Sequence, residues 1–353
     1  MARKRTNIRT DLISFALILI MLAELVAIAV FAFVLLRATS RKQEREAQAI
    51  PALEEPAAPP EGTPPITAAP AAEPTGLIVY TCFDGSYDDL CIMRADGSEQ
   101  RQLTDTAATD WYPSLGPDGD TVVFSSRRTG VFEIYRLSLS TGEVVQLTDG
   151  MGGSYAPELS PDGSRIVFAS SLNGKLDVYV MDADGGNITR LTDHPADDLD
   201  PTWSPDGTRV AFASNRTGTN ELYIMDVPAA PGELGQNVRQ VTNGANMQEG
   251  GRSDWSPDGS TLAFYAGDPG DKDIFLVPVE CAEQVEGCGP DALTRLTEGG
   301  NNKAPSFSPD GQWIAFASNL RGDNNVFIMR VDGSDWRQLT TQPSADWQPR
   351  WGP

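Results

Sequence analysis

The sequence predicts an all-β fold, a six-bladed β-propeller of four-stranded antiparallel blades. N- and C-terminal strands share one blade to close the ring, and one transmembrane helix precedes it. Three observations lead there. A Pro-Asp-Gly turn recurs at Pro117, Pro161, Pro205, Pro257 and Pro309, and Pro353 falls on the same register. The intervals of 44 or 52 residues suit one propeller blade each. Each repeat has one short strand before the turn and three after it, and the two ends of the repeat region hold complementary parts of one more blade.

Each repeat opens with a large apolar residue two places before the turn proline: Leu115, Leu159, Trp203, Trp255, Phe307 and Trp351. Another proline stands two places earlier in five of the six copies, with Ser253 the exception. In the turn, proline presets φ and glycine takes the left-handed position that lets the strands pair. Second strands follow as TVVFSS, RIVFAS, RVAFAS, TLAFYA and WIAFAS, and third strands as EIYRLS, DVYVMD, ELYIMD, DIFLVP and VFIMRV. The fourth ends in Leu-Thr or Val-Thr. One blade cannot bury both faces of its sheet, so its neighbours must. Residues 74–104 supply second, third and fourth strands without a first, and residues 345–353 supply a first strand and stop. Pairing them closes the ring with no free edge.

The recurring Trp-Ser-Pro-Asp-Gly turn, the Ala-Phe-x-Ser strand, the Tyr-x-Met-Asp strand and the Leu-Thr ending resemble the WD-like repeats of the TolB-type six-bladed propeller family. The resemblance covers essentially all of residues 74–353 and implies a propeller that binds protein partners in the cell envelope. Family members carry a small α/β domain ahead of the propeller, and this chain departs from that plan. The resemblance therefore supports the propeller but not membership of a Tol assembly. Some propellers of this repeat type are lyases with clustered histidines, and others precede a serine hydrolase domain. Here His194 is the one histidine and no Gly-x-Ser-x-Gly occurs, so no enzyme is expected.

Ahead of the repeats, residues 1–11 read as a short cytoplasmic tail and residues 12–36 as a transmembrane signal anchor. Its twenty-five residues, apolar but for Ser14 and Glu24, span roughly 37 Å at about 1.5 Å each, enough to cross a bilayer. Glu24, at the centre, is either a protonated passenger or a contact for a partner helix. Basic residues flank the span equally, Arg3, Lys4, Arg5 and Arg9 against Arg37, Arg41, Lys42 and Arg45, so charge alone leaves orientation open. The cysteines orient it. All four lie beyond the span in two close pairs, Cys82 with Cys91 and Cys281 with Cys288, as disulfides in an oxidising compartment would. The N-terminus is then inside, the propeller on the extracytoplasmic side, and the lipid bilayer a partner through residues 12–36. Residues 37–73, rich in Ala and Pro, read as a stalk linker, and residues 74–353 as the propeller.

Residues 1–46 carry eight basic and four acidic side chains, leaving 19 and 45 in the rest, a balance of −26. So acidic a body excludes nucleic acid as a partner. Blade geometry sorts the loops onto two faces. Connections between strands 4 and 1 and between strands 2 and 3 share one of them, and loops on a rigid scaffold are where binding usually sits. That face carries Asp110, Asp193, His194, Asp197, Asp198 and Asp200 beside Arg128, Lys175, Arg216, Lys272 and Arg321. These form either a charged rim that selects a partner or pairs that merely solvate the face. Acidic clusters at 197–200 and 268–273 supply the oxygen ligands Ca²⁺ prefers but match no EF-hand loop, and no cofactor is expected. The reading is a membrane-anchored interaction scaffold that binds an envelope or cell-surface protein. The alternative is a small ligand or glycan bound at the channel mouth, and a hydrolase or lyase stands last.

Overall fold

The computed structural model describes residues 72–245, 247 and 252–353. The expected tail, membrane span and nearly all of the stalk lie outside the described residues. Among the described residues no helix is long and apolar enough to cross a membrane.

Six four-stranded antiparallel sheets form the described fold. β1 (Leu77–Phe83), β2 (Asp88–Arg94) and β3 (Arg101–Gln102) begin the closing blade. Blade 1 is β4 (Asp110–Leu115), β5 (Thr121–Ser126), β6 (Glu133–Ser138) and β7 (Val144–Gln146). Blade 2 follows as β8 (Ser154–Leu159), β9 (Arg165–Ser170), β10 (Asp177–Asp182) and β11 (Thr189–Arg190). Blade 3 is β12 (Asp198–Trp203), β13 (Arg209–Ser214), β14 (Glu221–Asp226) and β15 (Gln236–Gln240). Blade 4 is β16 (Asp254–Trp255), β17 (Thr261–Asp268), β18 (Asp271–Pro278) and β19 (Thr294–Arg295). Blade 5 is β20 (Lys303–Phe307), β21 (Trp313–Ser318), β22 (Asn325–Arg330) and β23 (Arg337–Gln338). β24 (Asp346–Gly352) then pairs with β1, Ile78 opposite Trp351 and Cys82 opposite Asp346, and the ring closes as the two end fragments require.

The repeated residues each have a mechanical job. The Leu-Thr and Val-Thr endings clip the fourth strand to the third. Thr104, Thr148, Thr192, Thr242, Thr297 and Thr340 accept the backbone N–H of Leu90, Ile134, Val178, Leu222, Ile274 and Val326 at 2.8–3.0 Å. In the turns, Ser160 donates to Asp162 at 2.6 Å and accepts from Arg165 N–H, holding the corner shut. The first turn has Gly116 instead, where a Cβ would lie 2.8 Å from Leu159 Cδ1, the tip of a flexible side chain. Between blades, buried Phe124, Val122 and Tyr135 meet Val79, Leu90 and Ile92 of the closing blade. Similar clusters recur around the ring, each fully buried side chain worth about 1.5–3 kcal/mol.

Cross-strand aromatic pairs mark one column, from Phe124–Tyr135 at 5.7 Å to Phe316–Phe327 at 5.8 Å. In the closing blade the pair is Tyr80 and Cys91, and Cys91 is disulfide-bonded diagonally to Cys82. The second disulfide, Cys281–Cys288, ties down the insertion between β18 and β19. Both expected pairings are present.

Candidate functional site: the loop face and the channel mouth

The site begins with an irregularity common to the inner strands. Their registers against the second strand slip by one residue, and at the slip Tyr112, Ala156, Asp200, Ala304 and Gln348 have φ of 51–56°. Each precedes the inner proline, which has no N–H to leave unpaired and so suits a bulge. The bulge re-aims these side chains. Tyr112, Asp200, Ala304 and Gln348, with Arg252 in the equivalent place of blade 4, line a cavity of about 510 Å³ at the loop-face end of the channel. Tyr155, Tyr265, Leu199, Leu176 and Trp347 complete its apolar wall.

Arg252 is buried, its Nη2 donating to the carbonyl of Pro113 at 3.1 Å. Blades 1 and 4 face each other across the ring, so this guanidinium spans the channel. Its cation lies 5.5 Å from the centre of the Tyr112 ring. Burial, and the like charge of Arg350, push its pKa down to about 9. Burial likewise raises the Tyr112 hydroxyl.

A second ring lies deeper, at Ser114, Glu158, Asp254, Ser306 and Arg350, around a smaller cavity of about 290 Å³. Arg350 crosses to Glu158 and Asp254 at 3.0 Å each. The two carboxylates also reach forward to the next blade. Glu158 Oε1 accepts from Thr202 Oγ1 and Trp203 N–H at 2.9 Å, and Asp254 Oδ2 accepts from Ser306 Oγ and Phe307 N–H. Burial raises the Glu158 carboxyl, against the pull of Arg350. This ring is a structural clamp that ties blades 2, 4 and the closing blade across the axis.

Much of the expected charged rim is turned inward. Asp110 and Asp198 are fully buried at the start of β4 and β12, paired with Arg128 at 3.1 Å and Arg216 at 2.8 Å. Those guanidiniums lie over the blade's own aromatic pairs, Arg128 4.6 Å from Tyr135 and Arg216 4.5 Å from Tyr223. Lys175 pairs with Asp177, which also holds Arg190 at 2.7 Å. Lys272 is fully buried and donates to Gly267 O at 2.8 Å. Asp197 is half-buried and caps Leu176 N–H at 3.0 Å. Asp200 lines the cavity. Asp193, His194 and Arg321 remain exposed, with His194 Nδ1 accepting from Ala196 N–H at 3.1 Å. Among the described residues no three His, Cys, Asp or Glu side chains converge to hold a metal, and the acidic run at 197–200 points three ways.

The rim holds a feature that reading by charge passes over. Phe83, Tyr87, Val131, Leu172 and Leu320 are 36–48% exposed at the loops between second and third strands. They belong to blade 5, the closing blade, blade 1 and blade 2, which adjoin in that order. The same loops of blades 3 and 4, residues 215–220 and 269–270, hold no large apolar side chain. Among the described residues, the loops between second and third strands thus divide into an arc of four blades with an exposed apolar side chain and an arc of two without one. Trp111, Phe132 and Tyr155 extend the apolar arc toward the cavity, with ring centres 5.0 and 5.2 Å apart.

The TolB β-propeller domain family matches residues 141–283 and 235–353. An uncharacterized protein of Agrobacterium fabrum is 34% identical over 100 residues, 28% of this chain and 31% of that protein. The Tol-Pal system protein TolB of Nitrosospira multiformis is 34% identical over 58 residues, 16% of this chain and 13% of that protein. The chain therefore spans less than a third of the length of the curated relatives it matches. The crystal structure of TolB from Acinetobacter baumannii superposes with a TM-score of 0.65 at 25% identity, over 78% of this chain and 66% of that one.

Proposed function

The chain belongs to the TolB β-propeller family, and from that premise we propose that it is a membrane-anchored extracytoplasmic scaffold whose loop face docks another protein of the envelope. The observation that carries the reading is the apolar arc. Exposed apolar side chains gathered on neighbouring loops of one face, among charged ones, favour a protein-binding face. The exposed Asp193, His194 and Arg321 at its margins would steer the partner's approach. The apolar span at 12–36 and the stalk at 37–73 support anchoring, and the two disulfides support an oxidising compartment. A single histidine, engaged with its own loop, supports a non-catalytic role.

The test is cross-linked capture from solubilised envelopes, comparing the native chain with a Val131→Asp, Leu172→Asp, Leu320→Asp variant. These side chains are about half exposed, so the variant keeps its unfolding midpoint. A protein captured by the native chain and lost by the variant is the expected result. Identical captures by both would end the docking reading.

A further inference from the structure

We propose that the channel-mouth cavity is a binding site for a small organic carboxylate, held by Arg252 and Trp347 against aromatic walls. The cavity's volume of about 510 Å³ suits a small organic molecule. Tyrosine rings and aliphatic side chains make up much of its walls, beside the polar Asp200, Asn301, Lys303, Asn324 and Gln348, a mixture that suits a largely apolar ligand body carrying a polar group. What singles out a carboxylate is the set of unmade hydrogen bonds.

Arg252 is only 4% exposed, and while Nη2 is bonded to Pro113, Nη1 has no partner. Trp347 Nε1, on the closing blade, is likewise buried and unbonded. Both line the cavity and both are donors. A buried donor left unpaired costs about 1–3 kcal/mol, and more when it is charged. Asp200 and Glu158 offset part of the Arg252 charge, but Glu158 is already taken by Arg350, Thr202 and Trp203. A carboxylate in the cavity supplies acceptors to both donors and a counter-charge where burial has made one most valuable. Asn301 Oδ1, also unbonded and also on the wall, offers one acceptor for a ligand hydroxyl or ammonium. The cavity adjoins the apolar arc through Tyr155, but Arg252 and Trp347 lie outside the arc, so substitutions at those two residues test this site separately from protein docking.

The experiment titrates the full chain in detergent by calorimetry. The probes are carboxylates of about two to ten carbons, aliphatic and aromatic, each paired with its primary amide. The expected result is at least one acid binding one-to-one and about tenfold or more tighter than its amide, the value of a hydrogen bond to a charged group. Arg252→Gln removes that preference. Because Arg252 is buried and spans the channel, Trp347→Phe provides a gentler control that deletes one N–H and keeps the wall. It weakens the acid several-fold, and the amide, whose carbonyl accepts the same N–H more weakly, by less. No acid preferred over its amide, or a preference that survives both substitutions, overturns the proposal.

Discussion

Asp346 opens β24, in the place that Asp110 and Asp198 hold in blades 1 and 3. Those two are met by Arg128 and Arg216, each two residues past the serine that ends the second strand. In the closing blade that serine is replaced by Cys82, and two residues past it stands Asp84. Asp346 is therefore buried with no arginine in the matching place, and its Oδ2 makes no hydrogen bond. Burial pushes its pKa up to about 6, against roughly 3.9 for a free aspartate. With the folded value the higher, the native state holds a proton that the unfolded chain releases. The stability this group contributes is fully present below about pH 4 and is lost as pH rises through about 6. A gap of roughly two units corresponds to about 3 kcal/mol at most, and about 1–3 kcal/mol once partial solvation is allowed for. Burial also raises Asp89 in the same blade to about 6, with the same sign, so Asp346 accounts for only part of the slope. Urea unfolding of residues 72–353 at about pH 4.5, 6 and 7.5 reads the effect. Asp346→Asn flattens the profile by that amount and is more stable than the native protein at the highest pH. Asp84→Arg, which restores the missing counter-ion, lowers the Asp346 pKa. Its gain is reduced by loss of the turn in which Asp84 accepts from Ser86 and Tyr87 N–H. Parallel native and Asp346→Asn profiles would refute the reasoning.

Arg350→Met leaves Glu158 and Asp254 without their shared cation. The expected loss is about 3–5 kcal/mol near pH 7.5, shrinking toward pH 5 as Glu158, already raised by burial, takes a proton. Thermal unfolding at the two pH values checks it, and an equal loss at both would argue against a buried pair. Replacing Cys82 and Cys91 by serine opens a ten-residue loop, worth about 2.5–3 kcal/mol by loop entropy, and lowers the urea midpoint accordingly. Arg216→Met strands the buried Asp198 carboxylate and costs about 2–4 kcal/mol, while folded molecules still capture the same protein. Loss of capture at full stability would return Arg216 to the docking surface.

The blade was legible because its rules are local. Proline and glycine in the turn, alternation in the strands and threonine at each end act within a few residues, and the same words therefore announce the same geometry six times. The rim was less legible because the bulge is invisible in composition. Asp110 with Arg128 and Asp198 with Arg216 read as exposed loop charges, yet each pair is 18 residues apart and meets inside one blade. That shared spacing was the signal, since unrelated surface charges have no reason to keep it. The cavity was flagged only by a defect in the pattern. Ser253 replaces the inner proline of blade 4, and the residue before it, Arg252, is the charge that spans the channel. The apolar arc had no sequence signal, because each of its residues is ordinary alone and only ring order makes neighbours of Leu320 and Tyr87. An internal repeat thus separates two demands on one chain. Columns that read alike in every blade are dictated by the blade itself. The column Tyr112, Ala156, Asp200, Arg252, Ala304 and Gln348 shares one backbone geometry in at least five blades but no common chemistry. The fold requires the bulge there and leaves the side chain free, which is where a binding site can be written without cost to the ring.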